Sequence, residues 1–309
     1  MLLRWFTAAV VLGGSTAFTP TLRNAVTRGA GQRRVAVSMA SATTARSEGL
    51  ALALDDGTRK SHSVAENTAF VTGFFRGMSN EKSFSRLVCA LYYIYEAMES
   101  SLDNTENAEA KALDYPELRR LPFLEKDMVS GPSKLGRFWL SHRIVIFLFS
   151  VQEYFFGDNW REKATPSPAT RKYVKQIRDV AAKDPLLLIG HQYSRYLGDL
   201  FGGQMMAGMA TKSMGLQSES GGIDFYAFPD IDDTKAFIEM WYASLNQLDI
   251  SEARKQEIVD EANVVFALNI EVFEELEGSA LQAVWLMAMS TFKEKLNESN
   301  PYLRTALDL

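Results

Sequence analysis

Apolar residues recur at intervals of three and four along most of this 309-residue chain, and the every-second-residue alternation of a half-buried strand is nearly absent. Residues 64–77 place Phe70, Phe74 and Phe75 on one face. Residues 83–100 run without Gly or Pro through Leu87, Leu91, Tyr92, Ile94, Tyr95 and Met98. Pro166 and Pro168 open a helix over 167–183, and Pro185 starts another that continues to Met214. Asp232 or Asp233 is the N-cap expected for a helix over 233–247. A long amphipathic helix is expected over 251–276 and a last one over 279–297. The fold class this implies is all-α, a single-domain helical bundle with no internal repeat.

Composition narrows the function. An apolar fraction of 47% supports a packed core and excludes wholesale disorder. A single cysteine excludes a disulfide scaffold and any multi-cysteine zinc or iron–sulfur site. No apolar run reaches the roughly 18 residues of a membrane span, so no stable span is expected. Residues 1–47 hold six arginines and no acid, which leaves 48–309 at a net −11. So acidic a body disfavours nucleic acid as a partner, because phosphate binding needs clustered Lys and Arg.

The first 47 residues read as an address. Arg4 precedes the apolar stretch Trp5 to Leu12, and Ser15 and Ala17 sit at −3 and −1 of a cut, so residues 1–17 have the form of a secretory signal peptide. Residues 18–47 are rich in Thr, Ser, Ala and Arg, as in a plastid transit peptide. The join Ser15-Thr16-Ala17-Phe18 resembles the bipartite presequences of algae with complex plastids. A disordered N-terminus and a single N-terminal anchor are the competing readings, and plastid import ranks above both. The expected location is the plastid stroma, with the fold beginning near Glu48.

Two features carry chemistry. The first is His62 with Glu66, four residues apart and so on one helix face. A metal-bound imidazole needs an acceptor for its second N–H, which Glu66 supplies. On spacing alone, an ordinary surface His/Glu pair is the commoner case. The second is Gly190-His191-Gln192-Tyr193-Ser194-Arg195-Tyr196-Leu197-Gly198-Asp199-Leu200-Phe201-Gly202-Gly203-Gln204. Glycines inside a helix cost about 1 kcal/mol each relative to Ala, so something must approach the backbone or the helix must bend. Gly198 and Gly202 open one smooth face for a flat, bulky ligand. Helix packing through small residues explains the spacing equally well.

Taken together these residues resemble the haem oxygenase family, over about 52–278. Residues 57–67 are similar to its proximal helix and 190–204 to its distal helix. Leu91-Tyr92-Tyr93-Ile94-Tyr95, Gly157-Asp158-Asn159-Trp160-Arg161-Glu162 and Phe266-Ala267-Leu268-Asn269-Ile270-Glu271-Val272-Phe273 match as well. The resemblance implies a helical bundle of that family's type over 48–300. It implies haem b as both cofactor and substrate, cleaved with O2 to biliverdin, carbon monoxide and ferrous iron. His62 would be the axial iron ligand and Glu66 its hydrogen-bond partner. Gly198 and Gly202 would let the distal helix lie on the porphyrin. Asp199 would hold a proton-delivering water network completed by Tyr95 and Arg195, with Tyr193 and Arg59 at the propionates. Phe70, Phe74, Phe266, Asn269 and Phe273 would line the pocket. The implied partners are plastid ferredoxin as electron donor and bilin reductases downstream, with Arg119, Arg120, Lys126, Lys172, Lys175 and Arg178 as basic residues able to dock an acidic ferredoxin.

The chain also departs from the family. Asp55, Ile238 and Tyr242 stand where basic residues usually meet the propionates, removing charge-assisted contacts worth about 1.5–3 kcal/mol each. Phe201 replaces a common Ser beside the distal glycines, and His191 is expected to be a structural, hydrogen-bonding residue. The missing cations keep a second reading open, a non-catalytic haem-binding or haem-delivery protein on the same fold. A di-iron bundle is excluded, because no histidine has Glu three residues before it. Residues 129–152 contain no acid and interrupt the resemblance; removing them joins Met128 to Glu153 and restores it. Val129 has a GT-initial codon, Gln152 can be CAG, and 24 residues are 72 nucleotides, so a retained intron is the first reading. A surface loop and a membrane-touching insertion follow.

Overall fold

Proline and short polar side chains set the helix starts. Ser167 Oγ accepts from Thr170 N (3.1 Å) with Pro168 in the first turn, and Asp233 Oδ1 accepts from Ala236 N (3.0 Å). The computed structural model describes residues 44–75, 81–129, 159–214, 216 and 222–276. Residues 1–43, most of the 129–152 segment with His142, and the helix expected over 279–297 lie outside them.

A 3-10 turn, Ala45–Ser47, precedes helices α1 (Gly49–Glu66), α2 (Ala69–Phe75), α3 (Glu81–Asn104), α4 (Ala108–Ala112) and α5 (Leu121–Val129). After the gap come α6 (Trp160–Lys163), α7 (Pro168–Lys183), α8 (Leu188–Gln192), a π-helical turn (Tyr193–Leu197), α9 (Gly198–Met214), α10 (Thr234–Asn246) and α11 (Glu252–Leu276). No strand occurs among the described residues. Helix α11 is the axle of the bundle and packs against α1, α2, α7 and α8. From Ile258 to Val272 it is buried on nearly every side, as a core helix must be.

Helix α1 buries Leu50, Leu54, Ser61 and Ala65 toward that axle. A fully buried leucine such as Leu54 contributes about 1.5–3 kcal/mol. Gly57 permits the close approach, since a Cβ there would stand 2.4 Å from Val259 Cγ1. The phenylalanine periodicity over 64–77 suggests one helix, but the chain breaks at Asn67-Thr68. Asn67 Nδ2 donates to Ser63 O (2.7 Å), and Thr68 Oγ1 donates to Ala65 O (3.0 Å) and accepts from Val71 N (3.3 Å). These local bonds offer the backbone an alternative to continuing the helix. The run from Pro185 to Met214 is likewise not one regular α-helix: it passes through the π-helical turn, whose wider pitch re-aims the side chains that follow.

One basic residue is corrected by its burial. Arg120 is 1% exposed, donates to the carbonyls of Glu117 (2.9 Å) and Leu118 (3.0 Å) and lies over the Phe123 and Phe228 rings. It ties the α3–α5 region to the turn after α9 and is out of reach of any docking partner.

Candidate active site

Helix spacing puts His62 and Glu66 together, one turn apart on the outer half of α1. Nδ1 of His62 stands 3.3 Å from Glu66 Oε1, and the imidazole is half exposed at 49%. Phe266 of α11 meets the ring edge-on at 5.6 Å. Burial pushes the Glu66 carboxyl above the usual carboxylate range, and His62 pulls it back. One helix further on, Phe70 of α2 stacks on Phe273 of α11 at 5.6 Å. Phe74 also falls on α2.

The second group sits on the π-helical turn and the start of α9. Arg195 and Asp199 are one turn apart, and the Arg195 Nη2 donates to both carboxylate oxygens, at 2.9 and 2.6 Å. The Tyr95 hydroxyl, buried in α3, donates to the same carboxylate. Arg195 Nη1 donates to Asn269 Oδ1 (2.7 Å), and Asn269 Nδ2 in turn donates to Val265 O (3.1 Å), which locks the group to α11. Burial works against the Arg195 charge, but Asp199, Tyr95 and Tyr173 together outweigh it and hold the guanidinium above its ordinary value. Burial, then Asp199, raises the Tyr95 hydroxyl well above its own. Tyr193 bonds through its hydroxyl to Thr58 of α1.

The glycines divide into two sets. A Cβ on Gly190 would meet Ala262 N at 3.0 Å and Ile258 O at 3.1 Å, and one on Gly203 would meet Tyr226 at 2.9 Å, so these two serve packing. A Cβ on Gly198 or Gly202 would meet nothing within 4 Å. Close packing therefore accounts for Gly190 and Gly203 but not for Gly198 and Gly202. His191 is a packing residue too. It is fully buried, its Nε2 lies 2.8 Å from Glu261 Oε1, and Gln176 Nε2 donates to both Glu261 oxygens (3.0 and 3.1 Å).

The sequence profile of the heme oxygenase family matches residues 48–133 and 148–275. The chain belongs to this family. It is 37% identical to "Heme oxygenase 1" of Nostoc over 84% of this chain and 99% of that protein, and 38% identical to "Heme oxygenase" of the red alga Pyropia yezoensis over 79% and 93%. The crystal structure of heme oxygenase-1 from Synechocystis in complex with heme superposes with a TM-score of 0.65 at 38% identity, covering 79% of this chain and all of that one. Haem oxygenases degrade haem to biliverdin, and haem is at once their substrate and their prosthetic group.

The residues present fit haem. The open glycine face suits a flat macrocycle, and one imidazole backed by a carboxylate is the donor chemistry of a five-coordinate iron. The propionate side looks different. Arg59 is 72% exposed and paired with Asp56, with Asp55 3.8 Å away. Ile238 and Tyr242 are buried in α10. Phe201 is 43% exposed, so its bulk lies outside the core. Two participants escaped the sequence reading. Glu261, the partner of His191, lies 70 residues away and carries no local signal. Arg46 sits in the acid-free run that composition groups with the leader, yet residues 45–47 form a turn packed on α10 and α1.

Proposed function

We propose that this chain is a plastid haem oxygenase that opens haem b to biliverdin, carbon monoxide and ferrous iron, with electrons from reduced ferredoxin. The observation that carries the reading is that α11 meets the His62–Glu66 couple through Phe266 and the clamped Arg195–Asp199 pair through Asn269, with the open Gly198 beside Asp199 in the chain. Haem, when bound, supplies a redox-active iron and the macrocycle that is itself oxidised. His62 Nε2 would hold the iron, with Nδ1–H directed at Glu66 to fix the tautomer. Gly198 and Gly202 would leave room for a flat ligand to lie against bare backbone. Asp199 is held by Tyr95 and Arg195, and its remaining lone pairs would accept from water that carries protons, without Asp199 touching metal. Phe266, Phe70 and Phe273 keep the proximal wall apolar. The test is reconstitution of residues 44–309 with haem, ferredoxin and reductant. Biliverdin as product supports the reading, and a stable Soret band with no bilin formed favours the haem-delivery alternative.

Three further parts of the proposal have their own support. Helix α7 carries Arg171, Lys172, Lys175, Arg178 and Lys183 against the single acid Asp179, in a body that is otherwise acidic, which suits an acidic ferredoxin. The acid-free leader supports import into the plastid stroma, where bilin reductases would take the product; a fluorescent fusion of residues 1–47 that stays outside plastids overturns this. The family profile leaves 134–147 unmatched, inside the 129–152 segment read as a retained intron. A mature message that still holds those 72 nucleotides overturns that reading.

A further inference from the structure

Haem carries two carboxylates on one edge, so a protein that seats it needs cations at the matching end of the site. Of the arginines near His62, Arg195 is committed to Asp199 and Asn269, and Arg59 is turned out to Asp56. Arg46 is placed differently. Its turn is fastened to α10 at both faces of one residue: Ala45 N donates to Glu239 Oε2 (2.9 Å), and Asn246 Nδ2 donates to Ala45 O (2.7 Å). Asn246 Oδ1 also accepts from Ala51 N (2.9 Å) at the start of α1. The corner between turn and helix requires Gly49, at φ +58, where a Cβ would stand 2.7 Å from Asn246 Oδ1.

So fastened, Arg46 reaches α1. Its Nε donates to Asp55 Oδ1 (3.1 Å), and one terminal nitrogen donates to the same oxygen. Asp55 precedes His62 by seven residues, two turns or about 10 Å along the same helix face. That is close to the span from the iron of haem to its propionates. Tyr242 lies on α10, the helix that holds the turn, and Tyr193 immediately precedes the segment that leads to Gly198. An arginine has five donors in a planar fork, so the edge that Asp55 does not use can serve a second carboxylate.

We infer that Arg46, held by the N-terminal turn on α10, is the cation that receives a haem propionate in this chain. Asp55 then acts as the positioning residue that holds the guanidinium over α1. The inference rests on the haem reading of the site and deepens it. It accounts for how a chain with Asp55, Ile238 and Tyr242 at the usual cationic places retains a charged contact for its substrate. Any cut that removes the leader must then fall upstream of Arg46.

The test titrates the full chain and its Arg46→Ala and Arg46→Lys variants with ferric haem and with haem dimethyl ester, following the Soret band. Arg46→Ala should weaken haem about tenfold and leave the ester's affinity unchanged, with Arg46→Lys intermediate. Equal weakening of both ligands, or of neither, overturns the inference and leaves the haem reading standing. A wild-type chain that binds neither ligand overturns both.

Discussion

The carboxylate of Asp199 is fixed from two sides, by a tyrosine hydroxyl from α3 and a guanidinium one turn before it. With both oxygens so engaged, the role proposed for Asp199 is to organise water. Asp199→Asn should therefore keep haem affinity and lower the rate of biliverdin formation roughly 10²–10⁴-fold, read by single-turnover kinetics on the preformed haem complex. An unchanged rate would contradict the assignment. At this scale the sequence was informative where partners are local. His62 with Glu66 and Arg195 with Asp199 are i,i+4 pairs, visible to anyone counting along a helix. Tyr95 and Asp199, 104 positions apart, were linked only through the family resemblance, and His191 and Glu261, 70 positions apart, are brought together only by the folded chain. Arg46 was hidden for a different reason: its neighbours in sequence belong to a leader, and its neighbours in space belong to α1 and α10.

Among elements, the distal segment from Leu188 to Met214 shows how one residue type serves two ends. Gly190 faces backbone atoms of α11 that cannot retreat, so Gly190→Ala should destabilise the fold by about 1–3 kcal/mol. Gly198→Ala adds a methyl to open space and relieves a helical glycine, so the haem-free protein should gain about 0.5–1 kcal/mol. Thermal melts of the two variants should thus move in opposite directions. Gly202→Leu should leave the melt near wild type and abolish haem uptake. Loss of stability in all three would mean that the whole cluster is packing. Spacing alone left these uses equal, because what a glycine faces is a property of the partner helix. The helix starts at Ser167 and Asp233 and the length of α11 were readable from capping and periodicity, whereas the short helices α4, α5 and α6 were not. The break at Asn67-Thr68 and the π-helical turn were not, since both arise from local hydrogen-bond choices that leave the apolar pattern unchanged.

For the whole molecule, charge is distributed against the net −11 of residues 48–309. Lys175 and Arg178 are exposed on α7, each within an ion pair, to Asp179 (2.8 Å) and Glu96 (3.4 Å). Exposed pairs of this kind contribute little to stability, so their replacement tests docking cleanly. Lys175→Glu with Arg178→Glu should raise KM for ferredoxin at low salt, and the difference should shrink as salt rises, with haem affinity unmoved. An unchanged KM would place the donor elsewhere. The all-helical class was legible because a bundle built on one core helix writes its periodicity into sequence, and the family because the motifs at 57–67 and 190–204 stand in order with their connecting stretches.

The account stands on His62. The most direct measurement is the optical spectrum and bilin yield of His62→Ala with ferric haem, without and with added imidazole. The expected result is loss of the ligated spectrum and of biliverdin formation, with imidazole restoring the spectrum. Ring opening at the wild-type rate in the variant, with no imidazole present, would contradict it.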